Sequence, residues 1–465
     1  MSEPLESEVA ERVQALLPED LRPLGVALAA TVARRHPYGL PADPQTRAAV
    51  IAEGVRLIVE RPPGTLALRM STPERRGGSM ISLVVEDAPF LLSTIAGELE
   101  RMQLAIANQA YPEFGVVRDE TGAIRELRPA RGADERQTWI HVELTRRLDE
   151  DRLQEVATAL RAVLGDAQRA TGDFDAMRER AAQIADQLQQ RAGADEATAL
   201  VRWLIDGHLV FLGAVDYDVD GTQTRHDPDS GLGVLRPDGD RSRDVERWLP
   251  LRTSLEPDGP PLTVSLTHRR STVHRHERMM DVVVLTRAAD GHRLRRLIGL
   301  FATKATSEPV TTIPVLRQWV EQVIAAEDVV TNSHDERMLR SVLEALPKDA
   351  LFTAGAPRLA AIFDTLVRHE RGVVRVVAWA HAPSAAVMVV VALPRERFDV
   401  RLRERIDDLV ARRLETEPAP PFVAFHEDEA LLTYVLELET HRHELDLTAV
   451  AAQLRGEIRA LSQTW

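Results

Sequence analysis

The sequence contains no cysteine and almost no lysine. Without cysteine, the 465-residue chain can form neither disulfides nor thiolate metal sites, and no catalytic thiol is available. This composition agrees with a reducing cytoplasm, which we expect as the location. Lys304 and Lys348 are the only lysines, so arginine supplies nearly all of the positive charge.

Long apolar runs and strongly basic patches are also missing. No stretch of roughly 18 apolar residues occurs, so the sequence predicts no membrane-spanning helix. The amino-terminal segment is acidic and helical in pattern, without an apolar signal core. The formal net charge is −14, and Arg-rich stretches such as 401–413 carry interleaved acids, as solvated helix faces do. We therefore expect neither a nucleic-acid partner nor a membrane partner.

What the sequence does contain predicts an α+β protein. A hydrophobic content of 44% is sufficient for several cores, and the length indicates about three domains. Residues 1–75 have mainly helical spacing, and residues 80–164 read β-α-β-β-α, the bulk of a ferredoxin-like unit. Strand candidates separated by Asp-Gly turns crowd residues 199–305, which predicts a mostly antiparallel sheet. From residue 372 the order β-β-α-β-β-α is a ferredoxin-like unit whose start is shifted by one element.

The stretch from Ile81 to Ile106 is the most informative part of the chain. An apolar strand-like run ends at Glu86, Pro89 stands where a helix can start, and an amphipathic helical pattern follows. Strand, acid-x-Pro turn and amphipathic helix resemble the opening of an ACT-type regulatory domain. This pattern points toward sensing or assembly rather than catalysis.

The turn at the start of this helix is a candidate effector site. Free N–H groups at a helix N-terminus suit a carboxylate or an amino-acid ligand. Asp87 can instead simply cap the helix, which is the favoured interpretation. Many ligand-binding ACT domains have Gly after the Pro, whereas this chain has Phe90, whose bulk would fill that space. The candidate residues are Asp87, Ala88, Pro89, Phe90 and Leu91.

The segment THRRSTVHRH (267–276) concentrates histidine and arginine. His268, His274 and His276 lie in a predicted connection between strands, and no carboxylate or cysteine completes a ligand spacing, so we predict no metal site. The arginines can take a phosphate or carboxylate, or pair with acids across an interface. The candidate anion-binding residues are Arg269, Arg270, His274 and Arg275.

Recognisable catalytic motifs are missing from the sequence. Gly231-Leu232-Gly233 lacks a third glycine and a following helix, so it fails the dinucleotide-binding fingerprint. No P-loop, nucleophile elbow or His-Glu-x-x-His motif occurs. We therefore predict no catalytic residues and no cofactor bound by this chain.

A series of short motifs occurs in order between about residues 80 and 400. They are Asp87-Ala88-Pro89-Phe90-Leu91, Val117-Arg118-Asp119 with Gly122, Trp139-Ile140-His141-Val142-Glu143, Trp203-Leu204, His208 to Gly213, Gly231-Leu232-Gly233-Val234-Leu235, Ser271-Thr272-Val273-His274-Arg275, Gly299-Leu300-Phe301, Ile313-Pro314 and Leu393-Pro394-Arg395-Glu396-Arg397-Phe398. The ordered set resembles the N-terminal regulatory region of the large bacterial NAD-dependent glutamate dehydrogenases. The hairpin at 373–393 departs from that family, with Ala380-His381-Ala382-Pro383 where charged residues and Gly are usual.

The resemblance implies two ferredoxin-like (ACT-type) units that flank a β-rich PAS-like domain, with helical connectors. The implied segments are an N-terminal helical segment at 1–75, ACT-like domain 1 at 78–167, a helical connector at 168–198, the PAS-like domain at 199–305, a second connector at 306–371 and ACT-like domain 2 in permuted order at 372–465.

The resemblance also implies a homo-oligomeric parent enzyme that converts L-glutamate, NAD and water to 2-oxoglutarate, ammonium and NADH. The dehydrogenase domain of the family lies further along its subunit, so we expect this chain alone to be inactive and NAD to bind only the full-length enzyme. The expected role is regulation and oligomerisation through the ACT-like units, with a catalytic region in cis or on a separate chain and an amino-acid effector. Two alternatives are a free-standing amino-acid-sensing ACT/PAS protein and a complete enzyme that uses the His/Arg cluster.

Overall fold

The structure is a computed structural model that describes residues 3–73, 77–220, 223–237, 251, 255, 259–288, 291–367, 372–381, 386–437 and 445–463. The chain forms two compact units. The first comprises Met1–Thr171 together with Ser271–His276, and the second comprises Gly172–Arg270 and Glu277–Trp465. No helix in the described ranges has the length and apolar character needed to cross a bilayer.

The first unit consists of helices that cover both faces of one sheet. Its helices are α1 (Glu3–Leu16), α2 (Arg22–Arg35), α3 (Pro44–Glu60), α4 (Leu91–Arg101) and α5 (Glu150–Gly172). Its strands are β1 (Ala67–Ser71), β2 (Met80–Glu86), β3 (Ile106–Ala110), β4 (Glu113–Arg118), β5 (Ile124–Pro129) and β6 (Arg136–Leu144). Asp43 starts α3 by accepting the N–H of Thr46 at 2.8 Å, and Pro44 follows at the first helical position, where its missing N–H is not needed.

The first sheet has the strand order β1-β2-β6-β4-β5, and β3 also pairs with β6. Strand β2 is buried on both faces, which explains its continuous apolar run. Ile81, Leu83 and Val85 pack toward α4 and α5, while Val84 packs toward the amino-terminal helices. Strand β1 lies in the segment that the sequence predicts to be mainly helical, and it forms the edge of this sheet beside β2. The sequence missed this pairing because an isolated five-residue strand carries no information about its partner.

The second unit contains two further sheets and the remaining helices. Its strands are β7 (Leu209–Asp220), β8 (Gln223–His226), β9 (Leu232–Gly233), β10 (Leu262–Arg270), β11 (Arg278–Ala288), β12 (Gly291–Phe301), β13 (Arg375–His381), β14 (Ala386–Pro394), β15 (Phe422–His426) and β16 (Glu429–Glu437). Its helices are α6 (Phe174–Gln189), α7 (Asp195–Trp203), α8 (Thr303–Ser307), α9 (Leu316–Ala326), α10 (His334–Glu344), α11 (Lys348–Leu366), α12 (Val400–Leu414) and α13 (Leu447–Gln463). Helix α11 is interrupted at Gly355, whose φ is 68°, and continues after it.

The middle sheet is antiparallel, with the order β10-β11-β12-β7-β8 and β9 paired to β7. Strands with long mutual registers, such as β7 with β12 and β11 with β12, form its centre. This agrees with the predicted antiparallel sheet with few helices, and the PAS-like character of the segment stays a prediction.

The last sheet has the order β13-β14-β16-β15, with α12 after β14 and α13 after β16. Strand β14 is buried along its whole length, because alternate residues enter two different cores. The first sheet contains the corresponding order β1-β2-β6-β3. The start that is shifted by one element, predicted for the last ferredoxin-like unit, therefore occurs in both ferredoxin-like units. In the departing hairpin, Ala382 and Pro383 lie outside the described residues.

Candidate functional site

The predicted effector turn joins the end of β2 to the start of α4, and Asp87 does not cap the helix. The N–H of Asp87 donates to the carbonyl of Arg136 at 3.0 Å, and its Oδ1 accepts the hydroxyl of Thr138 at 2.9 Å. The Arg136 guanidinium lies 3.9 Å from the other carboxylate oxygen. The capping interpretation is therefore wrong, because the pairing of β2 with β6 continues past Glu86 and directs the Asp87 side chain to β6.

Phe90 occupies the position before α4 in a left-handed conformation, with φ at 71° and no side-chain cap. This conformation costs a bulky L-residue about 1–2 kcal/mol, and glycine adopts it freely. The ring of Phe90 lies against the imidazole of His274, with ring centroids 4.6 Å apart. His274 also has a positive φ, at 67°. Two strained residues distant in sequence thus pack on each other at the turn.

His274 is held to α4 by two further hydrogen bonds. Its N–H donates to the hydroxyl of Thr94 at 2.9 Å, and its Nδ1 lies 2.9 Å from the hydroxyl of Ser93. Because Ser93 donates its single hydroxyl proton to the carbonyl of Phe90 at 3.0 Å, Nδ1 of His274 is the donor to Ser93. The first turn of α4 is therefore packed against residues of the chain's own first unit.

The segment around His274 has a defined local structure, which we call the 271–276 segment. The Ser271 hydroxyl donates to the Val273 carbonyl at 2.7 Å and accepts the Val273 N–H at 3.0 Å. Val273 is buried, and Thr272 donates to the carboxylate of Asp166 in α5 at 2.9 Å. The segment thus contacts both helices that follow the two central strands of the first sheet.

The candidate anion-binding residues are divided between the two units. Arg269 and Arg270 end β10 in the second unit, whereas His274 and Arg275 belong to the first. His274 and His276 lie between strands as predicted, since the 271–276 segment joins β10 to β11, whereas His268 lies within β10. His276 Nδ1 lies 3.1 Å from the carbonyl of Ser271. Across the described ranges, no group of three His, Asp or Glu side chains is arranged to hold a metal ion.

Replacing Phe90 by glycine should change stability little. Glycine relieves the cost of the positive φ, but it also removes an aromatic contact worth about 0.5–1.5 kcal/mol. We expect the free energy of unfolding of Phe90→Gly, measured by urea titration, to stay within about 1 kcal/mol of the parent chain. Leu91→Gly is the matched control, because it removes a buried side chain from the next position and should cost about 2–5 kcal/mol. An equal loss of unfolding free energy in Phe90→Gly and Leu91→Gly would contradict the expectation that relief of the positive φ offsets the lost aromatic contact.

The glycines of Gly231-Leu232-Gly233 serve backbone packing. A Cβ at Gly231 would lie 2.4 Å from the carbonyl oxygen of Leu235, and one at Gly233 would lie 2.1 Å from that of Leu212. Leu232 and Gly233 form the short strand β9, and no helix begins in the described residues 234–237 that follow directly. These residues do not fit NAD, whose pyrophosphate is held at a helix N-terminus after such a loop.

A polar cluster in the second unit was missed by the sequence analysis. The carboxylate of Glu308 accepts the indole N–H of Trp203 at 3.0 Å and the hydroxyl of Thr312 at 3.1 Å. Nε2 of the buried His208 lies 2.6 Å from the same carboxylate, and its Nδ1 donates to the Trp203 carbonyl at 2.7 Å. The rings of Trp203 and His208 are stacked at 4.2 Å. The only available signals were the two motifs Trp203-Leu204 and His208 to Gly213, because Glu308 is about a hundred residues away.

The Glu308 cluster predicts a specific pH dependence of stability. Burial alone raises the pKa of the Glu308 carboxyl, but hydrogen bonds from Trp203, Thr312 and His208 outweigh it and hold the pKa below its usual value. A carboxyl with a lowered folded-state pKa stabilises the fold at neutral pH, and this contribution is lost as the pH falls through that value. The stability difference between the parent chain and Glu308→Gln should thus be largest near neutral pH. It should begin to shrink near the ordinary Glu pKa of about 4.3 and disappear only below the lowered pKa of the folded state.

Urea titrations at neutral and acidic pH measure this difference. Glu120→Gln is the matched control, since it removes an exposed carboxylate and should leave the stability nearly unchanged at both pH values. A constant difference between the parent chain and Glu308→Gln across the pH range would contradict the prediction.

Three family models match the chain in order. They are described as glutamate dehydrogenase ACT1 domain at residues 40–160, glutamate dehydrogenase helical motif 1 at 313–371 and glutamate dehydrogenase ACT2 domain at 384–465. The two ACT models contain the first and last sheets except the edge strand β13. They include α3, α4, the start of α5 and the two helices of the last unit, but not α1 and α2.

Curated proteins described as NAD-specific glutamate dehydrogenases are similar to most of the chain. The NAD-specific glutamate dehydrogenase of Halomonas elongata is 27% identical over 361 residues, which are 72% of this chain and 22% of that protein. The corresponding protein of Mycobacterium tuberculosis is 27% identical over 352 residues, 72% of this chain and 21% of the relative. That of Pseudomonas aeruginosa is 25% identical over 427 residues, 84% of this chain and 25% of the relative.

The chain thus spans a quarter or less of the length of these relatives. The ordered models, the consistent description of the relatives and the two sheets of corresponding strand order all agree. The chain belongs to the NAD-dependent glutamate dehydrogenase family and corresponds to the N-terminal region of that family, which carries its ACT domains.

Proposed function

We propose that this chain is a regulatory and assembly segment of an NAD-dependent glutamate dehydrogenase. The parent enzyme would convert L-glutamate, NAD and water to 2-oxoglutarate, ammonium and NADH, with NAD and the catalytic residues held by a dehydrogenase region outside these residues. The observation that carries the proposal is the pair of matched ACT domains at 40–160 and 384–465, with helical motif 1 between them. The segment boundaries given above form part of this proposal.

The packing of the effector turn argues against amino-acid sensing at that turn. Phe90, Ser93 and Thr94 already contact His274, so a ligand would have to displace the 271–276 segment. The alternative of a free-standing sensor that uses this turn is therefore less well supported.

Activity measurements on the purified chain test the catalytic part of the proposal. NADH formation is followed by absorbance. With L-glutamate and NAD, we expect no NADH above the level of a blank without protein. A full-length relative, such as the enzyme of Mycobacterium tuberculosis, is the positive control. Turnover by this chain would overturn the proposal.

The open edge of β15 is the proposed contact between copies of the chain. Strand β15 ends its sheet, and no described strand pairs with its outer side, which leaves backbone N–H and C=O groups available. Phe422 on this edge is 53% exposed. Two antiparallel edges related by a twofold axis can pair with each other, so a second copy is the occupant that fits.

Analytical ultracentrifugation tests this assembly. We expect the chain to sediment as an oligomer and Phe422→Glu to sediment as a monomer, because a charge at the paired edge is costly to bury. Val400→Glu is the matched control, since Val400 is also an exposed apolar residue, 62% accessible, but begins α12. A monomeric parent chain, or dissociation by both variants, would overturn the β15 contact.

A further inference from the structure

An apolar-walled cavity in the first unit lies on the sheet face opposite α4 and α5. Its volume is about 350 Å³, within the range of about 300–1,000 Å³ typical of small-molecule pockets. The cavity lies between the end of α1, one face of α3 and strands β1, β2 and β6. It is separate from the effector turn, whose residues do not line it.

The α3 wall of the cavity is one helical stripe. Ala49, Ala52, Glu53 and Arg56 line the cavity and have the spacing i, i+3, i+4 and i+7, which places them on one face of the helix. The two alanines leave the space open, and the two longer side chains carry charge at its mouth. The opposite wall includes Met80, so a ligand in the cavity would have apolar contacts on two sides.

The floor of the cavity is a row of polar side chains across three strands. Arg69 of β1 pairs in register with Ser82 of β2, and Ser82 pairs with His141 of β6. Ser82 and His141 are 8% and 2% exposed. Burying polar groups on a sheet face is costly, so such a row needs a reason.

The neighbouring row on the same face shows how the sheet is built away from the cavity. It consists of Ala67, Val84 and Trp139, which are apolar and pack against the amino-terminal helices. The indole N–H of Trp139 donates to the hydroxyl oxygen of Ser82 at 2.7 Å and orients that hydroxyl.

The mouth of the cavity carries two guanidinium groups and one carboxylate. Arg56 Nη1 lies 3.1 Å from the Glu53 carboxylate, and Arg69 pairs with the same carboxylate. Glu60 pairs with Arg69 at 2.7 Å from outside the cavity. The groups that line the cavity are thus two guanidiniums and one carboxylate, and Glu60 balances the remaining positive charge from outside. Guanidinium groups match the two oxygens of a carboxylate.

We propose that this cavity binds a small organic carboxylate with an apolar body, whose carboxylate pairs with Arg69 and Arg56 while its apolar part contacts Ala49, Ala52 and Met80. This ligand site goes beyond the proposed function, because its occupancy is measured by binding and does not depend on the activity of any parent enzyme. Glu53, between the two arginines, is placed to accept an ammonium group when the ligand is an amino acid.

Isothermal titration calorimetry and thermal shift on the full chain test the ligand class. The probes are L-leucine, 4-methyl-2-oxopentanoate and 4-methylpentanoate, which share a carboxylate and an apolar body, and L-leucinamide, which lacks the carboxylate. We expect saturable binding and a raised Tm with at least one of the three carboxylates, and neither with leucinamide. Preference for leucine over 4-methylpentanoate would identify an amino acid as the source of the carboxylate, and the reverse would identify an acid without an amine.

Variants locate the binding. Arg69→Met should raise the Kd by about tenfold or more, as expected for loss of a charge-assisted hydrogen bond. Ala49→Trp should abolish binding, because the indole would fill the cavity from an exposed helix position. Arg12→Met removes another surface guanidinium that pairs with Glu8, and it should leave the Kd unchanged. If circular dichroism shows that Ala49→Trp does not fold, Ala49→Leu is used in its place. Absence of binding by all three carboxylates at millimolar concentration, or binding retained in both cavity variants, would overturn the proposal.

Discussion

Replacing Asp281 by alanine should lower the free energy of unfolding of the second unit by about 3–5 kcal/mol. Asp281 in β11 accepts two hydrogen bonds from Arg296 in β12, at 2.8 Å from Nε and 2.7 Å from Nη2. Arg296 is 2% exposed. Burial by itself lowers the pKa of the Arg296 guanidinium, but Asp281 outweighs burial and raises it, so the side chain stays charged. In Asp281→Ala the guanidinium of Arg296 would remain buried but would lack the carboxylate that compensates its charge.

Urea titration of two companion variants shows whether the buried charge is the cause. Asp218→Ala is the matched control, since Asp218 in β7 pairs with Arg293 in β12 but is about half exposed, and its loss should cost at most about 1 kcal/mol. The double variant Asp281→Ala with Arg296→Met should recover part of the loss, because it removes the buried guanidinium together with its carboxylate. If Asp281→Ala costs no more than the control, the buried pair does not stabilise the sheet.

Replacing Trp139 by alanine should cost about 3–5 kcal/mol, because the indole is fully buried between the first sheet and α3. Gly54 of α3 faces this ring, and a Cβ at Gly54 would lie 2.7 Å from it. Alanine normally favours a helix by about 1 kcal/mol over glycine, but here overpacking should reverse the sign and make Gly54→Ala destabilising by about 1–3 kcal/mol.

The combination of these variants gives the sharper measurement. In a Trp139→Leu background the space opposite Gly54 is larger, so Gly54→Ala should cost less there than in the parent chain. Tyr38→Ala is the control for loss of an aromatic residue, because Tyr38 is 82% exposed and its substitution should change stability by less than about 0.5 kcal/mol. A cost of Gly54→Ala that is the same in both backgrounds would contradict the contact with the indole.

Local patterns in the sequence were sufficient to predict most strands and helices. The alternation in Trp139 to Leu144 predicted β6, and the spacing of Leu153, Val156 and Leu160 predicted α5, because both periodicities depend only on neighbouring residues. The shifted order of the last ferredoxin-like unit also followed from the order of its elements. The partner of β1 did not follow, because a sequence shows where a strand lies but not which edge it joins.

The candidate site was predicted only in part. Sequence placed the turn at residues 87–91 and noted that Phe90 fills the position of a glycine. It assigned the wrong partner to Asp87, and it gave no reason to bring His274 to Phe90 across more than 180 residues of chain. The cavity residues Arg69, Ser82 and His141 were missed for a similar reason. Each is an ordinary polar residue in its own strand, and only the register of β1, β2 and β6 sets them side by side.

The sequence by itself determined the family, the element order and the two ACT-type units, since these depend on motifs and periodicities within short segments. The tertiary structure alone decided that the effector turn is packed by the 271–276 segment and that a polar-floored cavity lies on the other face of the same sheet. Both features depend on strand register and on contacts between distant segments, and these are set by the packing of whole elements rather than by any local pattern.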